Sequence, residues 1–146
     1  MPSKFPNFLA KPIRNTPLIL IVDDNEDNIL FASGSLQILN LRYIVAKDGE
    51  AALEMAQNEL PDLILLDIVM PKMNGITVTK ILKSNARTAQ IPIVAVTGLT
   101  YLPQKQKIVE AGCDDYLCKP YLIEDLADKL SRLLQIETAE LSPKQS

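Results

Sequence analysis

The distribution of apolar and polar residues divides most of the chain into alternating strands and helices. Five short apolar runs have the length and composition of buried β-strands, and they begin at Leu18, Tyr43, Leu63, Ile93 and Tyr116. A segment with helical spacing of its apolar residues follows each run. Apolar strands that alternate with helices are typical of a parallel sheet covered on both faces.

Helix-capping and helix-breaking residues indicate where the predicted helices begin and end. Asp48 is an N-cap residue type, and Pro61 is expected to stop the helix that follows it. Asn74 is expected to open the third helix. Pro103 fits the first turn of the fourth helix, and Gly112 follows its end. These five strand–helix units predict an α/β fold, a flavodoxin-like doubly wound three-layer sandwich with a five-stranded parallel sheet in the order 2-1-3-4-5.

The helical periodicity also predicts which apolar residues face the core. Gly34 lies inside the first helix and should weaken it by about 1 kcal/mol relative to alanine. The predicted core residues of three helices are Ile29, Ala32, Leu36 and Leu39 in the first, Val78, Ile81 and Leu82 in the third, and Leu122, Leu126, Leu130 and Leu133 in the fifth.

The two ends of the sequence differ from the part between them. Residues 1–17 hold four prolines, three basic residues and no acid, which predicts an extended arm. Residues 136–146 form a polar segment with Pro143, which predicts a tail. Residues 18–135 form the predicted folded domain, and a chain of 146 residues that is 47% hydrophobic suits one domain with a sizeable core.

Charge and composition exclude several classes of function. A net charge of -3 and a pI near 5.0 argue against a nucleic-acid partner held by phosphate contacts. No apolar run reaches the roughly 18–20 residues of a membrane span, and we find no signal-peptide pattern. The two cysteines, Cys113 and Cys118, are too few for a disulfide framework, so we expect a cytoplasmic protein. The absence of histidine excludes a Ser-His-Asp triad, a histidine metal site and a histidine phosphocarrier.

Chemically active side chains follow four of the five predicted strands. Asp23 and Asp24 follow the first strand, Asp67 the third, Thr97 the fourth and Lys119 the fifth. Because the carboxyl ends of parallel strands meet at one edge, where such folds bind ligands, we expect these groups to converge. Each residue alone also has a structural interpretation, as an N-cap, a turn acid, a strand-end hydroxyl or a surface charge. Their joint placement favours a functional site.

Three neighbouring carboxylates repel one another, and a hard divalent cation such as Mg²⁺ would remove that conflict. With the metal bound, a carboxylate can act as a nucleophile toward a phosphoryl group. An opposing amine and hydroxyl suit phosphoryl oxygens. The pattern therefore predicts magnesium-assisted phosphoryl chemistry at this edge.

Four segments of the chain form a combination that is highly specific: Ile21–Glu26, Asp67–Gly75, Val96–Gly98 and Ala111–Pro120. In these segments the chain resembles response-regulator receiver domains of two-component signalling systems. The resemblance covers about Pro17 to Leu134, essentially the whole predicted domain.

The resemblance implies roles for the acidic residues. Asp67 is the expected phospho-acceptor, which takes its phosphoryl group from a phosphohistidine on a sensor histidine kinase. Asp24 is expected to ligate Mg²⁺ directly and Asp23 through water, while Asp67 and the main-chain carbonyl of Val69 complete the protein ligands. The implied activity is limited to the domain's own phosphorylation and dephosphorylation.

The resemblance also implies a switch. Lys119 is expected to pair with the acceptor and then with the phosphoryl oxygens, and the Lys119–Pro120 bond is expected to be cis. Thr97 would move to bind the phosphate, and the ring of Tyr116 would turn inward behind it. By pattern alone Tyr116 is also interpretable as an ordinary half-buried strand aromatic.

Three positions depart from common forms of the family. Leu122 stands where a capping Asp is frequent, and Val69 and Leu99 are apolar beside the expected phosphoryl site. These departures leave the acceptor chemistry intact but leave the rate of dephosphorylation open. A magnesium phosphatase is disfavoured, because such enzymes commonly need a second acid two residues after the nucleophile, at Val69. A phosphorylation-independent interaction or dimerisation module remains the alternative.

The output is expected to be a protein contact. About a dozen residues follow Leu134, too few for a DNA-binding domain, so we expect a downstream protein target or self-association. The expected surface comprises the fourth helix, fifth strand and fifth helix, with Leu99, Tyr101 and Leu102 in the preceding loop. The arm, with Phe5, Phe8 and Leu9, is the second candidate surface.

Overall fold

The computed structural model describes residues 16–98 and 102–136. Most of the predicted arm, the loop residues Leu99 and Tyr101, the side chain of Leu102 and the tail from position 137 lie outside the described residues. The division into arm, domain and tail therefore stays a prediction.

The described residues form five strands and five helices in strict alternation. The strands are β1 (Leu18–Val22), β2 (Arg42–Ala46), β3 (Leu63–Asp67), β4 (Ile93–Thr97) and β5 (Asp115–Cys118). The helices are α1 (Glu26–Ile38), α2 (Gly49–Glu59), α3 (Gly75–Ser84), α4 (Leu102–Ala111) and α5 (Ile123–Leu134).

All strand pairs are parallel, and the sheet order is β2-β1-β3-β4-β5, so the predicted fold class is confirmed. The register aligns the last residues of neighbouring strands. Asp67 pairs with Val96, and Thr97 pairs with Cys118. This alignment brings the residues that follow the strands to a common carboxyl edge.

Side-chain caps begin three of the helices. The Asp48 and Asn74 side chains accept hydrogen bonds from the N–H groups of Ala51 and Thr77, which confirms both predicted caps. Asn25 caps α1 in the same way, through the N–H of Asn28. These bonds satisfy N–H groups that the first turn of a helix cannot pair internally.

The core has a layer on each side of the sheet. On one side α1 and α5 cover β1, β3 and β4 through Leu36, Leu126 and Leu130, all fully buried. On the other side α2 and α3 pack through Ala56 and Leu82. This arrangement is the predicted three-layer sandwich.

Two residues predicted to face the core are exposed. Ile81 is 38% exposed because Val78 and Leu82, one turn apart, already define the inward stripe of α3. Leu122 is 65% exposed because α5 begins only at Ile123. As the N-cap residue, Leu122 does not follow the helical spacing that predicted it to face the core. Its N–H points toward the Asp125 carboxylate, at 3.5 Å.

Candidate functional site

Three carboxylates meet at the carboxyl edge of the sheet. One oxygen each from Asp23, Asp24 and Asp67 lie within 4.8 Å of one another. Asp23 and Asp67 are only 6% and 3% exposed, whereas Asp24 is exposed. The convergence predicted from strand ends is therefore present, with one acid open to solvent and two held inside.

Backbone hydrogen bonds position Asp23 between β1 and α1. Its N–H donates to the carbonyl of Ala46 at the end of β2, at 3.1 Å. Its carboxylate Oδ1 accepts from the N–H of Asn25 at 3.0 Å. Because Asn25 also caps α1, the same short turn starts the helix and orients the acid.

Lys119 brings a positive charge to Asp67. Its Nζ lies 3.3 Å from Asp67 Oδ1, and its backbone N–H donates to the Thr97 carbonyl at 2.8 Å. The Val69 N–H also donates to Asp67 Oδ1, at 3.3 Å. The Lys119–Pro120 peptide bond is cis, as expected from the resemblance.

The electrostatics of this site are unbalanced. The pKa of Asp67 is raised to about 6, because burial and, after it, the charge of Asp23 together outweigh the opposite effects of Lys119 and the Val69 N–H. Three carboxylates thus face one nearby lysine among the described residues. An all-oxygen site with surplus negative charge fits a hard divalent cation.

Gly75 is required where α3 meets the end of β3. A Cβ at this position would lie 2.7 Å from the backbone oxygen of Asp67 and 2.7 Å from Cα of Ile68. The Gly75 N–H donates to the Ile68 carbonyl at 2.8 Å. The missing side chain therefore lets α3 pack directly against the segment that carries Asp67.

The comparisons with known proteins agree with this geometry. The family described as "Response regulator receiver domain" matches residues 19–131. The chain belongs to this family. Among curated relatives, the polar-differentiation response regulator DivK of Brucella ovis is 32% identical over 82% of this chain and 97% of DivK. Response regulator PleD of Caulobacter vibrioides is 41% identical over 70% of this chain.

The coverage of these relatives differs. The chain spans nearly all of DivK but only 22% of the length of PleD. Among solved structures, the receiver domain of a sensor histidine kinase from Pseudomonas aeruginosa has a TM-score of 0.77 and 28% identity, covering 82% of this chain and 98% of that chain. That structure has a magnesium ion coordinated in its active site cleft.

The residues expected to switch the receiver domain lie on neighbouring strands. Thr97 is 1% exposed at the end of β4, and Tyr116 is half-buried on β5. Lys105 Nζ and Lys129 Nζ lie 5.2 Å and 5.9 Å from the centroid of the Tyr116 ring. The pattern of the sequence did not indicate these lysines, because they come from α4 and α5 and meet only in the folded chain.

The structure also contains an apolar cavity that sequence reasoning missed. Its volume is about 460 Å³, and it reaches from Asp67 and Lys119 to the space between α1 and the sheet. The rings of Phe31 and Tyr121 line it and meet edge to face, with centroids 5.2 Å apart. Burial, with a smaller contribution from Asp23, raises the pKa of Tyr121 to about 12.

The side chain and the main chain of Val69 differ in their contacts with the site. Its side chain is 59% exposed, and its N–H donates to the Asp67 carboxylate. The ligand role of its carbonyl stays a prediction.

Among residues 16–98 and 102–136, no helix has the length and apolar character needed to cross a membrane.

Proposed function

We propose that this receiver domain accepts a phosphoryl group on Asp67 from the phosphohistidine of a sensor histidine kinase. The environment of Asp67 is the observation that supports this best. Its carboxylate is buried at a strand end, with Lys119 Nζ at 3.3 Å and oxygens of two further acids within 4.8 Å. DivK, which matches along nearly its full length, is named as a response regulator.

The residues present fit a magnesium ion. Asp23, Asp24 and Asp67 supply carboxylate oxygens, and the main-chain carbonyl of Val69 would complete the protein ligands. When bound, Mg²⁺ would neutralise the surplus negative charge and orient phosphoryl oxygens. The raised pKa of Asp67 supports this, because burial and Asp23 disfavour the carboxylate that must act as nucleophile.

In the proposed reaction, a carboxylate oxygen of Asp67 forms a bond to phosphorus while the P–N bond of the phosphohistidine breaks. The bonding electron pair leaves with the imidazole nitrogen. Lys119, already beside Asp67, moves its ammonium group onto the phosphoryl oxygens and offsets their charge. The phosphoryl group is later lost by hydrolysis: water attacks phosphorus, the bond from phosphorus to the Asp67 carboxylate oxygen breaks, and phosphate and the free carboxylate result. The domain therefore acts catalytically only on itself.

The proposed output is a change at the face formed by α4, β5 and α5. The Thr97 hydroxyl would donate a hydrogen bond to the phosphoryl group, and Tyr116 would follow it inward. A downstream protein or a second copy of the chain would recognise that face. A difference in affinity of about 1–3 kcal/mol between the two states is enough for signalling. We place the protein in the cytoplasm, where sensor kinases present their phosphohistidine.

Labelling with a small-molecule donor tests the acceptor. Incubation with acetyl phosphate and Mg²⁺ should add one phosphoryl group, and Asp67→Asn should abolish the addition because the amide is not a nucleophile. Asp48→Asn is the matched control, since asparagine caps α2 as well as aspartate does. Equal labelling of Asp67→Asn at another residue would overturn the assignment of Asp67, and no labelling of the parent chain would favour the phosphorylation-independent interaction module.

Metal affinity tests the ligand roles. Asp24→Asn should weaken Mg²⁺ binding about tenfold or more, and Asp23→Asn less, because a direct ligand loses more than one that acts through water. Asp27→Asn, at an exposed acid in the first turn of α1, should leave the affinity unchanged. Magnesium titrations followed by tyrosine fluorescence measure all three. Equal or reversed losses at Asp23 and Asp24 contradict the assignment.

A further inference from the structure

The two edge strands of the sheet differ in how their outer sides are protected. At β5 the Asp115 carboxylate accepts from the Tyr116 N–H at 2.8 Å and forms ion pairs with two basic side chains, Lys129 and Arg132. Charges of this kind protect an edge strand from pairing with another chain. Strand β2 has one neighbour, β1, among the described residues, and its middle positions 43–45 carry no charge. The outer edge of β2 therefore lacks the protection that β5 has.

The hydrogen bonds of β2 show which of its backbone groups face outward. The Arg42 N–H donates to the carbonyl of the residue before β1 at 3.3 Å, and the Ala46 carbonyl accepts from the first residue after β1 at 3.1 Å. Both residues therefore face β1. Alternate residues of a strand turn their N–H and C=O groups to the same side. It follows that Tyr43 and Val45 turn theirs away from β1, toward the open edge.

These outward groups are complementary to the same groups on a second copy of the chain. When two β2 strands lie antiparallel with Ile44 opposite Ile44, Tyr43 of each copy lies opposite Val45 of the other. Each of these pairs can exchange both of its N–H···O=C hydrogen bonds. The two copies are then related by a two-fold axis, so the contact is closed and ends at a dimer.

The charges at the two ends of β2 favour the antiparallel arrangement. Arg42 begins the strand and is exposed. Asp48 follows its end with extended backbone, at φ −154° and ψ 172°, and uses carboxylate Oδ1 to cap α2. Antiparallel pairing makes Asp48 of one copy the diagonal neighbour of Arg42 of the other, within reach of a long side chain. A parallel pairing would instead bring the two Arg42 side chains together.

Helix α1 adds an exposed apolar side chain beside the same edge. Glu26 forms an ion pair with Lys47, and Gln37 Nε2 donates to the Tyr43 hydroxyl at 3.2 Å. The stripe of α1 that contains these two residues therefore lies next to β2. Leu30 belongs to this stripe, four residues after Glu26 and seven before Gln37, and it is 71% exposed. A two-fold axis perpendicular to the sheet keeps both α1 helices on one face, so each Leu30 lies beside the contact.

We propose that two copies of this chain pair through the outer edge of β2, antiparallel about Ile44, and continue one sheet across both molecules. A contact of a few residues on each strand belongs with the weak interfaces that bury less than about 1,200 Å². The dimer is therefore expected at high protein concentration. This surface is separate from the face formed by α4, β5 and α5. Pairing goes beyond the proposed function and does not depend on phosphorylation.

Disulfide formation in the full chain tests the register of the pairing. Directly opposed residues that do not exchange hydrogen bonds have Cα atoms about 4.5 Å apart, which suits a disulfide. On mild oxidation Ile44→Cys should therefore link to itself. Tyr43→Cys and Val45→Cys should link to each other when the two variants are mixed, and each should link to itself at least about fivefold less. The parent chain, with free Cys113 and Cys118, is the control for native thiols.

The pattern of links decides the outcome. Links at position 44 and between positions 43 and 45 support the proposal. Self-linking of Tyr43→Cys or Val45→Cys without a link in Ile44→Cys overturns it, and so does a link in Ile44→Cys no faster than in Val109→Cys. Val109 is 62% exposed on α4, so that variant measures random collision.

Sedimentation of the chain without added cysteines measures the association itself. Val45→Pro removes an outward N–H and leaves the groups that face β1 in place, and Leu30→Lys places a charge beside the contact. Each should weaken self-association at least about tenfold. Asp48→Asn keeps the cap of α2 and loses the charge, so it should weaken the association about threefold.

Val109→Lys is the matched control for Leu30→Lys, because it makes a similar change at an exposed apolar residue of another helix, and it should leave self-association unaltered. Leu30→Lys also guards against misfolding, since this side chain is already in solvent. A parent chain that stays monomeric at all concentrations overturns the proposal. Equal association of the parent, Leu30→Lys and Val45→Pro overturns it as well.

The acceptor variant separates this inference from the proposed function. Asp67→Asn should self-associate as the parent does, and acetyl phosphate with Mg²⁺ should leave the association unaltered. If no labelling of Asp67 occurs, the proposed function fails while the disulfide pattern still decides the pairing. Association that appears only after labelling overturns pairing through β2 and favours the face formed by α4, β5 and α5.

Discussion

Two acid–lysine pairs lie at opposite edges of the same sheet, and they differ in how completely their groups are hydrogen-bonded. At the edge where strands begin, Asp114 Oδ2 accepts from Lys83 Nζ at 3.1 Å and from the Ile93 N–H at 2.8 Å. Lys83 Nζ also donates to the carbonyls of Ile91 and Ala89, at 2.8 Å and 3.3 Å. Lys83 thus uses all three of its N–H donors.

At the carboxyl edge the pair is incomplete. Asp67 is 3% exposed and faces two other carboxylates, and its contacts with Lys119 Nζ and the Val69 N–H are both 3.3 Å long. The Asp114 pair ties the ends of α3, β4 and β5 together, whereas Asp67 has two contacts of 3.3 Å among the residues that the structure describes. The comparison teaches that an acid short of partners is better evidence for a ligand site than an acid–lysine contact as such.

The largest stability effect is expected at the tightest contact of the carboxyl edge. Gly75→Ala should lower the free energy of unfolding by about 2–3 kcal/mol, because its Cβ would press on backbone atoms at 2.7 Å. Gly34→Ala is the control and should raise stability by up to about 1 kcal/mol, since its Cβ meets nothing. Urea unfolding followed by circular dichroism measures both. Equal effects of the two variants would show that packing at Gly75 is looser than described.

The next effect is expected at the opposite edge. Lys83→Met should lower the free energy of unfolding by about 1–2 kcal/mol, because it removes the lysine donor from two carbonyls and one of the two donors from the Asp114 carboxylate. Labelling of Asp67 by acetyl phosphate should stay within twofold of the parent. Lys80→Met, at an exposed lysine on α3, is the control for loss of a charge. If Lys83→Met loses labelling and Lys80→Met does not, the Lys83–Asp114 pair also affects the site at Asp67, and the contrast between the two edges is wrong.

The smallest effect is expected to have the opposite sign. A carboxyl whose pKa is raised in the folded state destabilises the fold once it ionises, so above the pKa of about 6 Asp67 opposes folding. Asp67→Asn should therefore raise the free energy of unfolding by about 1 kcal/mol in magnesium-free buffer.

Magnesium provides the sharper form of the same experiment. Saturating Mg²⁺ should stabilise the parent and not Asp67→Asn, because only the parent retains the complete carboxylate set. The control for the magnesium-free measurement is Asp62→Asn, at an exposed acid that accepts from the Leu18 N–H at 2.8 Å; this change should not raise the free energy of unfolding. If Asp67→Asn lowers the free energy of unfolding in magnesium-free buffer, Asp67 is already well paired.

The sequence alone determined the features that depend on a few neighbouring residues. Strand positions followed from apolar runs, and the caps at Asp48 and Asn74 followed from side chains that reach the next turn. The grouping of Asp23, Asp24 and Asp67 was also predictable, because parallel strands present their carboxyl ends at one edge. Periodicity was insufficient at Ile81 and Leu122, since the edge of a helical stripe and the residue before a helix depend on what packs beside them.

Only the tertiary structure decided which polar groups are satisfied and where space remains. Lys83 and Asp114 are 31 residues apart, and Lys105 and Tyr116 belong to different elements; each pair meets because α3 and α4 pack against the sheet. The cavity beside Asp67 exists because α1 places the small side chain of Ala32 opposite the sheet. Local pattern records the preference of each segment for a helix or a strand, but distances between segments come from packing, and the chemistry of this site depends on those distances.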